Sequence, residues 1–167
     1  MTAQRQLIVM RHAKAGELPG GPDAERSLRP RGRRDASAAG SWLVASGLAP
    51  ELVLCSAARR ARQTWQYVAA EISAPHEVSV DPLLYQADAR LLLDIIAGTR
   101  PEVRTVMYVG HNPAAADLTE ILTGRPADLR TAAIAVIGLD VEWWAMAGGG
   151  ADGTGKLVAF WTPQLDS

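Results

Sequence analysis

The stretch LIVMRHAKAG, residues 7–16, places four apolar residues directly before an arginine and a histidine. Apolar residues in an unbroken run, rather than alternating with polar ones, are typical of a strand that is buried on both faces. Such strands belong to parallel sheets that are covered by helices on each side. The stretch therefore predicts an α/β fold, with Arg11 and His12 at the carboxyl end of a buried strand.

Strand-like and helix-like segments alternate along most of the chain. Strands are predicted at 6–10, 51–56, 76–81 and 105–111, and helices over 32–46, 57–72, 88–98 and 114–124. This alternation indicates a mostly parallel sheet with helices on both faces. Two further strands, 132–140 and 156–162, are expected to add an antiparallel part at the end of the chain.

The composition excludes several classes of protein. The 167 residues are 48% hydrophobic and 21% charged, as in an ordinary globular protein, and we expect a single domain over 1–167. The formal net charge of -1 creates no overall field that would attract nucleic acid or an anionic membrane. With Cys55 as the single cysteine and no apolar run long enough to span a bilayer, we expect a cytoplasmic protein without nucleic-acid or membrane partners.

Cationic side chains follow three of the predicted strands. Arg11 and His12 follow the first strand, the arginines of RRAR (59–62) follow the second, and His111 follows the fourth. Because the carboxyl ends of parallel strands lie along one edge of the sheet, where open α/β folds bind ligands, we expect these groups to converge. Each has a simpler interpretation when taken alone: a polar loop entry, a solvated helix face and a helix cap, respectively.

The three motifs together resemble those of the histidine phosphatase superfamily. RHA (11–13), SAARRARQT (56–64) and VGHNP (109–113) follow the order of that family's RHG, SPxxRAxQT and second-histidine motifs. The segment DAERSL (23–28) matches the D-x-x-R-x-L pattern of the SixA-type phosphohistidine phosphatases. The resemblance implies a phosphoglycerate-mutase-like, three-layer α/β/α sandwich.

The resemblance also implies a role for particular residues. His12 matches the nucleophile, and His111 matches the second catalytic histidine that also contacts the substrate. Arg11 and Arg60 match the phosphate clamps, Arg60 because it directly precedes the Ala-x-Gln-Thr part of its motif. Arg26 matches a further phosphate contact. A neutral imidazole can attack phosphorus, and arginine binds phosphoryl oxygens bidentately, so we expect phosphohistidine chemistry without a metal or other cofactor.

The sequence departs from the family pattern at three positions. Ala13 and Ala57 replace a glycine and a proline, which are small changes, and Gln86 stands in DPLLYQ (81–86) where many members have an acidic glutamate. A leaving alkoxide needs a proton, whereas the imidazole of a phosphohistidine needs little help. Asp23 is the candidate acid that remains, and a structural role as a loop cap is an equally good interpretation of that residue.

The expected activity is therefore hydrolysis of phosphohistidine or phosphomonoester substrates through a covalent intermediate on His12. Short connections after the second strand leave no room for a lid, and an open pocket suits a phosphorylated protein. A small phosphometabolite is the alternative substrate. A non-catalytic module that only binds phosphorylated ligands is the alternative function.

Two further features are expected to be structural. The stretch GADGTGKL, 150–157, has most of the spacing of a nucleotide-binding P-loop, but a strand-like segment follows it and Leu157 occupies the position of the required Ser or Thr. We expect a hairpin loop there. Trp143, Trp144 and Trp161 are expected to serve in packing.

Overall fold

A computed structural model describes residues 4–74 and 76–165. In this part of the chain the strands are β1 Arg5–Arg11, β2 Leu52–Ser56, β3 Glu77–Asp81, β4 Thr105–Gly110, β5 Ile134–Leu139 and β6 Lys156–Trp161. The α-helices are α1 Pro30–Ala45, α2 Arg59–Ala69, α3 Ala89–Ala97 and α4 Ala114–Thr123. Short 3₁₀ segments cover Asp23–Glu25, Pro82–Tyr85 and Trp143–Gly149.

The strands form one mixed sheet in the order β3-β2-β4-β1-β5-β6. Strands β3, β2, β4 and β1 run parallel to one another, whereas β5 is antiparallel to β1 and β6 is antiparallel to β5. The mostly parallel sheet with an antiparallel end is confirmed. The carboxyl ends of β1, β2 and β4 consequently lie side by side.

Strand β1 has both faces buried, which explains its unbroken apolar run. Leu7 and Val9 belong to the core between the sheet and helices α3 and α4. Ile8 and Met10 belong to the second core, between the sheet and helices α1 and α2. All four side chains are fully buried. This arrangement confirms the three-layer α/β/α sandwich.

Local signals account for where the helices begin and end. Helix α1 begins at Pro30, two residues before the prediction, because proline is well suited to the first helical position. The Asp88 carboxylate accepts a hydrogen bond from the Leu91 N–H and so caps α3. Helix α4 ends at Thr123, one residue before the prediction, because the next residue, Gly124, has a left-handed φ of 76° and caps the helix.

The glycine-rich segment near the end of the chain joins two strands. Strand β6 begins at Lys156, so this lysine is not at the start of a helix as a P-loop requires. The connection from β5 is longer than a simple hairpin, since it contains the 3₁₀ segment Trp143–Gly149. No helix in the described residues is long and apolar enough to cross a membrane.

The three tryptophans of this region differ in their surroundings. Trp143 is 1% exposed and donates its indole N–H to the Val103 carbonyl, 2.7 Å away. Trp161 stacks on Trp42, with ring centroids 6.2 Å apart. Trp144 is 70% exposed, so the expectation that it serves in packing is wrong. Trp143 occupies the core position of this 3₁₀ segment, and the residue after it remains on the surface.

Candidate active site

A cavity of about 340 Å³ lies at the carboxyl edge of the parallel strands. Its lining residues are Arg11, His12, Asp23, Arg26, Arg60, Tyr85, Gln86, His111 and Asn112. The structure thus brings together every site residue that the sequence predicted. The wall contains three arginines and one aspartate, a composition that attracts an anion.

His12 is held with one ring nitrogen facing the backbone and the other facing an arginine. Its Nδ1 lies 2.8 Å from the Ala13 carbonyl oxygen, an acceptor only, so Nδ1 carries the proton. Its Nε2 accepts a hydrogen bond from Arg60 Nε at 3.3 Å. Burial, together with the charges of His111, Arg60 and Arg11, lowers the pKa of His12 to about 3. The ring is therefore neutral at physiological pH, and Nε2 carries no proton.

The turn after His12 is fixed by the QT part of the RARQT motif. The Ala13 N–H donates to Thr64 Oγ1 at 2.9 Å, and the Thr64 hydroxyl donates to the Arg60 carbonyl at 2.7 Å. The Gln63 side-chain oxygen accepts from the Leu28 N–H at 2.7 Å. Helix α2 therefore holds both the His12 turn and the end of the 14–30 loop, the segment that leads from β1 to the start of α1 at Pro30.

Of the three neighbouring arginines, Arg60 is the one that lines the cavity. It is 6% exposed, whereas Arg59 and Arg62 are exposed and Arg62 Nε donates to the Ala57 carbonyl. The Arg60 guanidinium donates to His12 through Nε and to Asp23 through both terminal nitrogens. Helical geometry explains the difference, because consecutive residues of a helix face different directions.

Arg11 extends from the end of β1 into the same cavity. One terminal nitrogen donates to the Leu129 carbonyl at 3.3 Å, and that oxygen also accepts from Asn112 Nδ2 at 2.8 Å. Among the described residues, the buried Nε of Arg11 has no hydrogen-bond partner. A buried donor without a partner is costly, and the arginine that carries it lines the cavity.

His111 lies opposite His12, with ring centroids 5.2 Å apart. Its Nε2 is 2.7 Å from Ser56 Oγ, and its backbone N–H donates to the Tyr108 hydroxyl. Gly110 makes this approach possible, since a Cβ there would lie 2.0 Å from that hydroxyl oxygen. Burial, with the Arg60 charge beside it, lowers the pKa of His111 to about 4.

The 14–30 loop places Asp23 and Arg26 on the cavity wall. The Asp23 carboxylate accepts from Arg26 Nε at 2.9 Å, from Arg60 at 3.1 Å, and from the Tyr85 hydroxyl. The hydrogen bond from Tyr85, followed by those from the two arginines, lowers the pKa of Asp23 to about 2. The ionised carboxylate has no proton to donate, which counts against Asp23 as the acid. That role stays a prediction.

Three residues of the site were not assigned from the sequence. Ser56 contacts His111, Asn112 shares an acceptor with Arg11, and Tyr85 contacts Asp23. Ser56 and Asn112 stand inside the quoted motifs, so their positions could have suggested a role. Tyr85 stands directly before Gln86 in the quoted segment DPLLYQ, but only the tertiary structure brings it against Asp23. In the described residues, no group of three or more His, Cys, Asp or Glu side chains could hold a metal ion.

Comparison with known proteins agrees with this geometry. The sequence model of the histidine phosphatase superfamily (branch 1) matches residues 7–89, which include the first histidine and the arginine motif. The chain belongs to the histidine phosphatase superfamily. An uncharacterized protein of Mycobacterium leprae is 36% identical to this superfamily member over 169 residues, covering 93% of this chain and all of the relative.

Solved structures place this histidine phosphatase superfamily member near the SixA proteins. A candidate SixA phosphohistidine phosphatase from Nakamurella multipartitia has a TM-score of 0.83 and 28% identity, over 96% of this chain and 97% of that one. The protein histidine phosphatase SixA complexed with tungstate has a TM-score of 0.79 and 27% identity, over 94% and 96% of the two chains.

Proposed function

We propose that this protein is a phosphohistidine phosphatase that forms a covalent phosphohistidine intermediate on His12. The observation that supports this proposal most directly is the state of the His12 ring. Its Nδ1 proton is bound to the Ala13 carbonyl, and its unprotonated Nε2 faces the arginine-lined cavity. A nucleophile of this kind divides one displacement at phosphorus into two easier ones.

In the first step, His12 Nε2 attacks phosphorus, and the bond from phosphorus to the leaving group breaks. The electron pair of that bond stays with the leaving group. The hydrogen bond from Nδ1 to the Ala13 carbonyl stabilises the positive charge that develops on the ring. Because Arg60 Nε is bound to the same Nε2 in the free protein, it shifts onto a phosphoryl oxygen as the new bond forms.

In the second step, water attacks the phosphorus of the intermediate, and His12 leaves with its nitrogen pair restored. Arg11, Arg60 and His111 surround the phosphoryl group in both steps, where hydrogen bonds to the oxygens stabilise the transition state. Arg11 and Arg60 are already held at the cavity wall, so the change that the reaction requires of them is the new partner of Arg60 Nε.

A phosphohistidine side chain of a cytoplasmic protein is the substrate that we propose. The Asp23 side chain on the cavity wall is 54% exposed, and residues 57–74 and 76–88 contain only α2, β3 and a 3₁₀ turn, so a protein segment can reach the site. Gln86 lines the cavity where an acid is expected, and Asp23 is ionised. Cleavage of the N–P bond of a phosphohistidine needs less protonation of the leaving group than cleavage of the O–P bond of a sugar phosphate, so it suits a site without a proton donor.

Trapping the intermediate tests this proposal. Acid-sensitive, base-stable label from a ³²P-phosphohistidine peptide should appear on the wild-type protein in a rapid quench and should be absent from His12→Ala. The chain offers a matched control in His76→Ala, since His76 contacts Trp65 and does not line the cavity. This control should be labelled like the wild type. Label that persists in His12→Ala would contradict the proposal.

The same preparation distinguishes the alternative functions. Hydrolysis of phosphohistidine peptides well above that of a panel of phosphometabolites supports the proposed substrate. The reverse order would indicate a small-molecule phosphatase. Phosphate binding without any turnover, in buffer with and without a metal chelator, would indicate a non-catalytic binding module.

A further inference from the structure

The orientation of the Arg60 guanidinium depends on a single loop residue. One terminal nitrogen donates to the Asp23 carbonyl oxygen at 2.9 Å, and the other donates to Asp23 Oδ2 at 3.1 Å. With both terminal nitrogens held by Asp23, the third nitrogen, Nε, faces His12 Nε2. Asp23 thus determines which edge of the planar guanidinium is presented to the reacting nitrogen.

Asp23 itself needs support, because it lies on an exposed loop. Its side chain is 54% exposed, so water competes with Arg60 for the carboxylate and weakens this ion pair. Tyr85 supplies a second contact, since its hydroxyl donates to the same Oδ2 that accepts from Arg60. Arg26 holds the other carboxylate oxygen from within the same loop.

Tyr85 comes from a different part of the fold and is placed against the site. It ends the 3₁₀ turn Pro82–Tyr85 that follows β3. Its ring meets the His111 ring edge to face at 5.7 Å, and the Arg60 guanidinium carbon lies 5.9 Å from its centroid. The turn is anchored by the neighbouring Leu84, which is fully buried, so the fold does not depend on the Tyr85 hydroxyl.

We propose that Tyr85 is a positioning residue, whose hydroxyl holds the Asp23 carboxylate and thereby orients Arg60 toward His12. The catalytic consequence rests on the proposed function, whereas the orientation of Arg60 does not. Removing the hydroxyl leaves the carboxylate held only by Arg26 and by Arg60 itself, and the guanidinium then samples other orientations. A donor that must be reoriented during the reaction stabilises the transition state less than a fixed one.

The first test measures Arg60 directly and needs no turnover. In ¹⁵N,¹H NMR spectra of the free protein, the Arg60 Nε–H signal is assigned by its loss in Arg60→Lys. Tyr85→Phe should speed the exchange of this proton with water about tenfold or more, since a loosened hydrogen bond opens more often. Asp23→Ala should act in the same direction. Tyr67→Phe, on helix α2 outside the cavity, is the matched control and should have no effect.

The second test measures whether Tyr85 acts through Asp23. With a phosphohistidine peptide, Tyr85→Phe should lower kcat about tenfold and change KM less than about twofold. In the double variant Tyr85→Phe with Asp23→Ala, the loss should be no larger than in Asp23→Ala alone, because both changes interrupt one chain of contacts. If Tyr85 had only a structural role, the losses in kcat of the two single variants would multiply in the double variant, and Tyr85→Phe would have a lower Tm than the wild type.

The outcomes separate this inference from the proposed function. Unchanged Arg60 exchange in Tyr85→Phe, or multiplied losses in the double variant, would overturn the inference. Faster exchange in a protein that hydrolyses none of the phosphorylated substrates would support the positioning of Arg60 by Tyr85 and reject the phosphatase proposal.

Discussion

At the scale of single residues, hydrogen-bond direction determines what His12 can do. The Ala13 carbonyl can only accept, so it selects the tautomer in which Nε2 is free to attack. Arg60 donates to that nitrogen and keeps the ring unprotonated there. Arg60 and His12 are 48 positions apart in the chain. The nucleophile therefore depends on a local backbone contact and on a distant side chain together.

Substitution of the RRAR arginines tests which of them serves the site. Arg60→Ala should reduce kcat about 10² or more, the scale expected for the loss of one fixed donor. Arg59→Ala and Arg62→Ala remove exposed side chains outside the cavity and should have mild effects. Steady-state rates with a phosphohistidine peptide measure the difference. Equal losses at the three positions would show that the arginines act as a diffuse basic patch.

The position of Gln86 predicts how the rate depends on the leaving group. Gln86 lines the cavity and cannot donate a proton as a carboxylic acid does, so kcat/KM should fall steeply as leaving-group pKa rises across aryl and alkyl phosphates. Gln86→Glu should flatten this dependence if the new side chain reaches the leaving oxygen.

The Asp23→Asn variant tests whether Asp23, the other candidate acid, supplies a proton to the leaving group. It should leave the steep dependence of the wild type unchanged, because the Asp23 carboxylate is already ionised. A wild-type protein that hydrolyses alkyl phosphates as fast as p-nitrophenyl phosphate would contradict the assignment of an acid-poor site.

At the scale of secondary-structure elements, helices α1 and α2 pack closely because Gly40 of α1 has no side chain at the contact. A Cβ on Gly40 would lie 2.7 Å from the Val68 carbonyl oxygen and 2.9 Å from Glu71 Cβ. Backbone atoms of a helix cannot move aside cheaply. Helix α2 also holds the His12 turn through Thr64, so the packing of α1 against α2 matters to the site.

Gly40→Ala should destabilise the protein by about 1–2 kcal/mol, because overpacking outweighs the gain of about 1 kcal/mol in helix propensity. Gly98→Ala is the control, since the nearest atom to its Cβ lies 3.4 Å away, at ordinary contact distance. Urea unfolding measures both variants. If Gly40→Ala were as stable as the wild type or more stable, α1 and α2 could move apart to accept the added Cβ at no cost in free energy.

At the scale of the whole molecule, folding holds two histidines of the cavity neutral. Their pKa values are about 3 for His12 and about 4 for His111, against an ordinary value of 6.5. Below pH 6.5 the unfolded chain binds protons at these residues, and the folded protein does not bind them until far lower pH. The free energy of unfolding must therefore fall as pH falls through this window.

Urea unfolding between neutral pH and about pH 5 should show a loss of stability of up to roughly 1.4 kcal/mol per pH unit for each histidine. His12→Asn should remove about half of this dependence, and the double variant with His111→Asn should remove most of it. The lowered pKa of Asp23 adds a loss only below its ordinary value of 3.8, outside this window. If the free energy of unfolding of the wild type did not change with pH, the assignment of two neutral histidines would be wrong.

The sequence by itself determined the order of the elements and the residues at the strand ends. The unbroken apolar run of β1 requires burial on both faces, and the alternation of strands and helices requires a mostly parallel sheet. These properties are local, so periodicity and motif spacing contain them. Arg11, His12 and His111 could be named from their places after predicted strands, whereas the choice of Arg60 within RRAR and the naming of Arg26 and Asp23 came from the resemblance to the histidine phosphatase superfamily.

Only the tertiary structure decided how those residues interact. The tautomer of His12, the orientation of Arg60 by Asp23 and the contact from Tyr85 all join segments that are distant in the chain. The exposure of Trp144 beside the buried Trp143 was decided in the same way. Contacts of this kind depend on how the layers pack against one another, and one sequence contains no periodic signal for them.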